Sequence, residues 1–166
     1  MTETPARSGT APAEDHIAQS TVLVVDDNEQ NLELLVAYLD GLGCGVQTAA
    51  DGVEALEKIA AEPPDLILLD VMMPRMSGFE VCRKLKVEPA TRDIPIIMVT
   101  ALNEMGDIER GVESGTDDFI TKPVNRLELL TRARSLLRVR RLRGELDRTL
   151  AYLDEMDSAE PSAAGE

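Results

Sequence analysis

Five side chains that could do chemistry together follow short apolar segments of the chain: Asp26, Asp27, Asp70, Thr100 and Lys122. Three carboxylates held close together repel one another, at a cost of about 4 kcal/mol per pair at 4 Å in an effective dielectric of 20, so they need a cation. Oxygen ligands in an incomplete cage suit Mg²⁺, which keeps several waters and accepts phosphate oxygens. The ammonium and the hydroxyl can bind an anion. These residue types therefore predict a magnesium-dependent phosphoryl site.

The apolar segments have the lengths and patterns of strands in a parallel sheet. Residues 21–25, 66–69 and 94–99 are continuous apolar runs that are too short for helices, as is typical of strands buried on both faces. Residues 46–49 and 117–121 are weaker candidates for edge strands. Because ligands bind beyond the carboxyl ends of such strands, one edge of the sheet is expected to gather the chemical side chains.

Segments with helical periodicity separate the strands, and they cover residues 30–42, 52–61, 79–87 and 103–114. Strand and helix alternate five times, which predicts a doubly wound α/β fold with right-handed crossovers. Asn28, between the first strand and the first of these helices, is interpreted as a helix N-cap.

The last helical segment is too long for one small domain to cover. It begins near Asn125 and shows no stop signal before about Asp157, a length of about 50 Å. Four residues are expected to face the sheet: Leu127, Leu130, Ala133 and Leu137. Further along, steps of three and four join Val139, Leu142, Leu146, Thr149, Leu153 and Met156. This heptad spacing predicts a parallel coiled-coil homodimer, and the alternative is a helix that breaks at Gly144 and folds back.

Composition narrows the range of partners and compartments. The chain of 166 residues has a net charge of -14, which argues against nucleic-acid binding by the whole chain. Residues 126–148 carry eight arginines and three acids, and a solvated face beside a coiled coil is favoured there over an acidic partner surface or a nucleic acid. Cys44 and Cys82 do not make a disulfide framework, no apolar run suits a membrane helix, and no signal peptide is evident. A cytoplasmic protein without membrane contact is expected.

The motifs around the five side chains resemble the receiver domain of two-component response regulators. The likeness covers about residues 21–137 and is carried by Val24-Val25-Asp26-Asp27-Asn28, Leu68-Leu69-Asp70-Val71-Met72-Met73-Pro74 with Gly78, Val99-Thr100-Ala101, and Asp117-Asp118-Phe119-Ile120-Thr121-Lys122-Pro123. It implies a flavodoxin-like five-stranded parallel sheet of order 2-1-3-4-5, extended here by the C-terminal helix.

The resemblance also implies an activity and a cofactor. A sensor histidine kinase or a phosphotransfer protein would pass a phosphoryl group to Asp70. Mg²⁺ would be the cofactor, held by Asp26, Asp27, Asp70 and the backbone carbonyl of Met72, with Asp27 and Asp70 as direct ligands. The chain would then be a phosphoryl-accepting signalling domain that assists its own phosphotransfer and dephosphorylation, rather than an enzyme with a separate substrate.

Further roles follow from the same resemblance. Thr100 and Lys122 would bind the phosphoryl oxygens. Phe119 would be the switch aromatic, which turns inward as Thr100 moves, and the Lys122–Pro123 peptide bond would be cis. The family relates the lifetime of the phosphoryl group to the residues two positions after the acceptor and after the switch threonine. These are Met72 and Leu102, and neither can orient an attacking water, so a long-lived phosphoryl state is expected.

The expected domain plan is a disordered tail, a receiver, an extended helix that could form a coiled coil, and a second disordered tail, over residues 1–19, 20–137, 138–157 and 158–166. No output domain is evident, so the output is expected to be a protein–protein interaction with an unidentified downstream partner. Residues 124–146 also resemble the linker that follows receivers in diguanylate-cyclase regulators. The chain could therefore be the receiver portion of a larger regulator.

Two rival functions come from other classes. An aspartate-nucleophile phosphatase of the haloacid dehalogenase type also uses Asp and Mg²⁺, but it requires a second aspartate two positions after the first. Asp70 is followed by Val71 and Met72, which disfavours that chemistry. A receiver that works as a static scaffold is the second rival, and the intact set of site residues argues against it.

Overall fold

Strands and helices alternate along the part of the chain that the computed structural model describes, which is residues 12–101 and 105–159. The strands are β1 (Thr21–Val25), β2 (Gly45–Ala49), β3 (Leu66–Asp70), β4 (Ile96–Thr100) and β5 (Asp118–Thr121). The helices are α1 (Pro12–Gln19), α2 (Glu29–Leu39), α3 (Gly52–Ala61), α4 (Gly78–Val87), α5 (Met105–Ser114) and α6 (Arg126–Ala159). A 3₁₀ turn, Asp40–Leu42, follows α2.

All five strands form one parallel sheet in the order β2-β1-β3-β4-β5. Every residue of β3 and β4 is buried, as are four of the five residues of β1, whereas β2 alternates between exposed and half-buried positions over most of its length. The prediction of a doubly wound α/β fold of order 2-1-3-4-5 is therefore confirmed, with β2 and β5 at the edges. Central strands covered by helices on both faces lose all contact with water, which is why their sequences are continuous apolar runs.

Helices cover the sheet in two layers, and each layer encloses its own core. On one face α3 and α4 pack on the sheet through side chains such as Ile59, Val81 and Leu85. On the other face α2 and α6 pack through side chains such as Leu39 and Leu129. The largest fully buried side chains are Leu, Ile and Met, so close packing of aliphatic groups holds the scaffold that positions the strand ends.

The N-terminal segment departs from the expected disordered tail. Residues 12–19 form α1, which packs against α6 and places Ile17 on the core of that layer. The Ser20 hydroxyl donates to the carbonyl of His16 (2.7 Å) at the end of this helix. A short helix gains most of its stability from such tertiary packing rather than from its own pattern, which explains why periodicity did not reveal it. Residues 1–11 lie outside the described part of the chain.

Helix α6 runs without a break from Arg126 to Ala159, so it passes through Gly144 and does not fold back there. The buried positions on the sheet are Leu129, Leu130, Ala133 and Leu137, whereas Leu127 is 73% exposed. The expectation that Leu127 faces the sheet was wrong, because the buried face of α6 begins at Leu129, one turn before Ala133. The helix extends two residues into the expected C-terminal tail, and residues 160–166 are not described. Over the described ranges, no helix is both long and apolar enough to cross a membrane.

Candidate functional site

The carboxyl ends of four strands meet at one edge of the sheet and carry the predicted side chains. Asp26 directly follows β1, Asp70 is the last residue of β3, Thr100 is the last residue of β4, and Lys122 directly follows β5. The parallel register aligns these ends, since Asp70 pairs with Val99 on the neighbouring strand. The fold therefore brings together residues that are up to about a hundred positions apart in sequence.

Three carboxylates form the centre of this edge. One oxygen each from Asp26, Asp27 and Asp70 lies within 4.8 Å of the other two. The side chains of Asp26 and Asp70 are buried, whereas Asp27 is exposed. The donor set fits Mg²⁺, because it offers hard oxygens on one side only and leaves the solvent side for water or a phosphate oxygen.

Lys122 joins two of the carboxylates. Its Nζ lies 3.3 Å from Asp26 Oδ2 and 3.3 Å from Asp70 Oδ1. Its backbone N–H donates to the carbonyl of Thr100 (2.8 Å), which fixes the lysine beside the buried threonine. One ammonium among three carboxylates leaves a formal charge of about minus two, which a divalent cation would balance.

Asp70 has an unusual affinity for protons. Its pKa is raised from 3.8 to about 6, mainly because the carboxylate is buried and also because it lies beside Asp26. Lys122 and the backbone N–H of Met72, which donates to Asp70 Oδ1 (3.4 Å), act in the opposite direction. A buried carboxylate of this kind is incompletely stabilised by the protein alone, as expected of a group that acts on a cation or an electrophile.

The loop after β1 holds Asp26 in place. The backbone N–H of Asn28 donates to Asp26 Oδ1 (2.9 Å), and the Asn28 side chain accepts from the N–H of Asn31 (3.1 Å). Asn28 is thus the N-cap of α2, as its position predicted. The positive end of the α2 dipole consequently lies next to the acidic cluster.

The loop after β3 shows why its shape depends on Gly78, which the sequence predicts to shape this loop without taking part in the chemistry. The N–H of Gly78 donates to the carbonyl of Val71 (3.0 Å), and a Cβ on Gly78 would lie 2.2 Å from the carbonyl oxygen of Asp70. Only glycine permits this approach. In the same loop Arg75 has φ of +69°, a left-handed conformation that is unfavourable for a side chain with a Cβ. The side chain of Met72 is 63% exposed, and ligation by its carbonyl remains a prediction.

Phe119 is half-buried and packs against the core layer formed with α3 and α4. Its ring lies directly on α5, where a Cβ on Gly111 would be 1.9 Å from the ring Cζ. Sequence analysis did not identify Gly111, and the only signal for it is a glycine inside a helical pattern. The Lys122–Pro123 peptide bond is cis. Leu102, to which sequence analysis assigned an influence on phosphoryl lifetime, lies outside the described residues.

The two thiols lie away from this edge. Cys44 is half-buried and Cys82 is buried, and neither is in a disulfide. Burial raises the pKa of both thiols above the ordinary value. Protonated thiols that are shielded from solvent are poor nucleophiles, so neither cysteine is a candidate reactive group.

Known proteins are similar to this chain in sequence and in fold. The chain is 52% identical over 125 residues to the response regulator PleD of Caulobacter vibrioides, an alignment that covers 75% of this chain and 28% of PleD. It is 41% identical over 117 residues to RpaA of Synechocystis, described as a DNA-binding dual master transcriptional regulator, over 70% of this chain and 48% of RpaA. The chain thus spans about a quarter to a half of the length of these curated relatives.

A solved structure agrees with the sequence relatives. The chemotaxis response regulator CheY4 of Vibrio cholerae superposes with a TM-score of 0.67 at 32% identity, over 71% of this chain and 98% of CheY4. The model of the response regulator receiver domain matches residues 22–134, a range that contains the five strands except Thr21, the first residue of β1, and the whole acidic edge. The chain therefore belongs to the response regulator receiver domain family of two-component signalling systems.

Proposed function

We propose that this receiver accepts a phosphoryl group on Asp70 from a sensor histidine kinase or a phosphotransfer protein. The observation that supports it best is the placement of the buried Asp70 carboxylate close to two other carboxylates and 3.3 Å from the Lys122 ammonium, at the carboxyl edge of the sheet. A carboxylate nucleophile with a cation site beside it and an ammonium within reach has the groups that acyl-phosphate formation requires.

In the proposed reaction an oxygen of Asp70 forms a bond to phosphorus as the P–N bond of a phosphohistidine breaks, and the departing imidazole takes a proton from solvent. Asp26, Asp27, Asp70 and the Met72 carbonyl would hold Mg²⁺, with Asp27 and Asp70 as direct ligands. Bound Mg²⁺ would neutralise negative charge on the transferring group. Lys122 would exchange part of its contact with Asp70 for a phosphoryl oxygen.

Phosphorylation would change the conformation of the receiver through Thr100 and Phe119. The Thr100 hydroxyl would bind a second phosphoryl oxygen, and the ring of Phe119, which already lies against Gly111, would move inward as Thr100 shifts. Movement at β4 and β5 would be passed to α6, which follows β5 after the Lys122–Pro123 bond. The proposed output is a change in how α6 pairs with a second copy of the chain, or in how it binds a downstream protein in the cytoplasm.

A second candidate is the receiver portion of a larger regulator, such as a diguanylate cyclase with α6 as its linker. The short coverage of both curated relatives favours this reading, since the alignment with PleD takes in 28% of that protein. The chemistry at Asp70 would be the same in either case, and only the output would differ.

Phosphorylation by a small donor tests the first proposal. The chain is incubated with phosphoramidate and Mg²⁺, and the bound phosphoryl group is counted by intact-protein mass spectrometry. We expect one group on the unaltered chain, one on the surface control Glu57→Gln, and none on Asp70→Asn or in the presence of EDTA. Full labelling of Asp70→Asn would refute the assignment. Continuous hydrolysis of p-nitrophenyl phosphate would instead favour a phosphatase, and a folded chain that takes up no label would favour a static scaffold.

Light scattering tests the proposed dimer. The full chain and a chain ending at Leu137 are compared at high micromolar concentration, with and without beryllofluoride as a phosphoryl mimic. We expect the full chain to form dimers and the shortened chain to form fewer, with a change in the dimer fraction when the mimic binds. If both chains are monomeric in all conditions, the dimer proposal fails.

A further inference from the structure

The part of α6 beyond the sheet carries an apolar seam that faces largely away from its own domain. The seam consists of Val139, Leu142, Leu146, Thr149, Leu153 and Met156, and its apolar members are between 44% and 57% exposed. At 3.6 residues per turn, the middle of the seam lies about half a turn around the helix from the buried stripe of Leu130, Ala133 and Leu137. The receiver that carries this helix therefore leaves about half of each apolar seam side chain exposed, although Leu146 also borders a cleft between α6 and the receiver.

The same stretch of helix has opposite charges in its two halves. Residues 138–148 carry five arginines and two acids, and residues 149–159 carry three acids and no lysine or arginine. Arg140 is paired with Asp65 (3.3 Å) of its own receiver. Across the described residues, no other charged side chain of these two halves takes part in an ion pair within the chain. Both halves therefore keep most of their charged side chains free of ion pairs with the rest of the described chain.

A parallel pairing of two seams would bring like charges together. With the seam residues at heptad positions a and d, Arg138 occupies a g position and Arg143 occupies the e position of the next heptad. A parallel coiled coil places each Arg138 beside the partner's Arg143, twice in a two-fold dimer. It also lays the basic half along the basic half and the acidic half along the acidic half, which is destabilising.

An antiparallel pairing fits both the seam and the charges. The seam is symmetric about its centre, so every a residue meets a d residue when the second helix is reversed: Val139 lies opposite the partner's Met156, Leu142 opposite the partner's Leu153, and Leu146 opposite the partner's Thr149. The basic half then lies along the acidic half at both ends. Arg143 in particular comes beside the partner's Asp154 and the partner's Asp157.

We propose that the seam of α6 binds the seam of a second copy of this chain in the antiparallel orientation. This proposal rests on the dimer of the proposed function and fixes its geometry, replacing the parallel coil expected from heptad spacing alone. The paired region spans about 26 Å, so the helix pair is short and its dimer dissociates readily. The two receivers lie at opposite ends of the helix pair.

Cysteine cross-linking distinguishes the two orientations. Full-length chains carrying Leu142→Cys or Leu153→Cys are oxidised separately and as a mixture, with the unaltered chain as background for Cys44 and Cys82. In the antiparallel dimer, positions 142 and 153 lie opposite each other, whereas the two copies of position 142 are about 16 Å apart along the axis. A disulfide requires Cα atoms within about 7 Å, so we expect a cross-link between chains only in the mixture.

Charge reversal at one position tests the same geometry without a covalent bond. We expect Arg143→Glu to weaken the antiparallel dimer by about 3- to 10-fold, because at both ends of the helix pair it sets a new carboxylate beside two acidic side chains of the other copy. In a parallel dimer the same variant would bind more tightly, because each Arg138 would gain an acidic neighbour. Adding Asp154→Arg to Arg143→Glu should restore the affinity. Arg134→Glu, an equal charge change outside the paired region, is the matched control.

The outcomes separate this proposal from the one on which it depends. A cross-link confined to the mixture, with weaker association of Arg143→Glu, supports the antiparallel dimer. Cross-linking of each single variant with itself, or tighter association of Arg143→Glu, overturns the orientation and leaves the dimer standing. A full chain that is monomeric by light scattering and forms no cross-link overturns the dimer itself.

Discussion

Removing the charge of Asp70 should stabilise the folded receiver while abolishing its chemistry. The raised pKa of Asp70 means that the folded state disfavours the ionised carboxylate. A rise from 3.8 to about 6 corresponds to about 3 kcal/mol of lost stability once the group is ionised. Replacement by asparagine removes that charge and keeps the size of the side chain, although Lys122 then retains only its contact with Asp26.

The destabilising effect of Asp70 on the folded receiver depends on pH. A carboxyl with a raised pKa in the folded state is protonated there while the unfolded chain is already ionised, between pH 3.8 and about 6. The penalty is therefore absent below this window, grows as the pH rises through it, and is complete above it. In EDTA, Asp70→Asn should exceed the unaltered chain in free energy of unfolding by about 1–3 kcal/mol at pH 8, and the difference should disappear near pH 4.

Urea unfolding in EDTA at several pH values measures this difference, and Asp40→Asn, at an exposed position of the 3₁₀ turn, is the control. Saturating Mg²⁺ should stabilise the unaltered chain more than Asp70→Asn, since the ion would bind the carboxylate and offset the repulsion. The reasoning is refuted if Asp70→Asn is no more stable than the unaltered chain at pH 8, or if its advantage is the same at pH 4 and pH 8.

The geometry of the site predicts the effects of three further substitutions. Gly78→Ala should lower the free energy of unfolding by about 2 kcal/mol or more, because its Cβ would overlap the carbonyl oxygen of Asp70. An unchanged urea concentration at the unfolding midpoint would contradict this. Gly111→Ala should displace the ring of Phe119 by steric overlap, and unchanged Phe119 ring resonances in NMR spectra would refute it. Asp27→Asn should weaken Mg²⁺ binding at least tenfold by calorimetric titration, with Glu57→Gln unchanged, and equal affinities would exclude Asp27 as a ligand.

The sequence predicted those elements whose burial is encoded locally. Strands β3 and β4 are buried on both faces, and continuous apolar runs are the direct consequence. Helix α1 was missed because it packs against α6, which lies more than a hundred positions away in sequence, and because Ile17 contacts the core of the same layer. The buried face of α6 was misassigned at Leu127 because leucines also stand at positions 129 and 130, so helical periodicity alone did not fix the phase.

In the site, too, some residues could be located from local sequence patterns and others could not. The residue types and strand ends located Asp26, Asp70 and Lys122, because parallel strands bring their carboxyl ends to one edge. The close approaches at Gly78 and Gly111 depend on the distance between segments that meet only in the folded chain, and no local pattern encodes that distance. The charge reversal along α6 is visible in the sequence, but its consequence depends on the helix continuing unbroken to Ala159.

Chemical mapping of the phosphorylated residue tests the central claim most directly. The chain is treated with phosphoramidate and Mg²⁺, reduced with borohydride, which converts an aspartyl phosphate to homoserine, and digested for tandem mass spectrometry. The proposed function predicts homoserine at position 70 and none at positions 26 or 27, with the conversion lost when EDTA is present. Conversion at either of those positions, or a stable phosphoryl group on a hydroxyl side chain with position 70 unmodified, would contradict it.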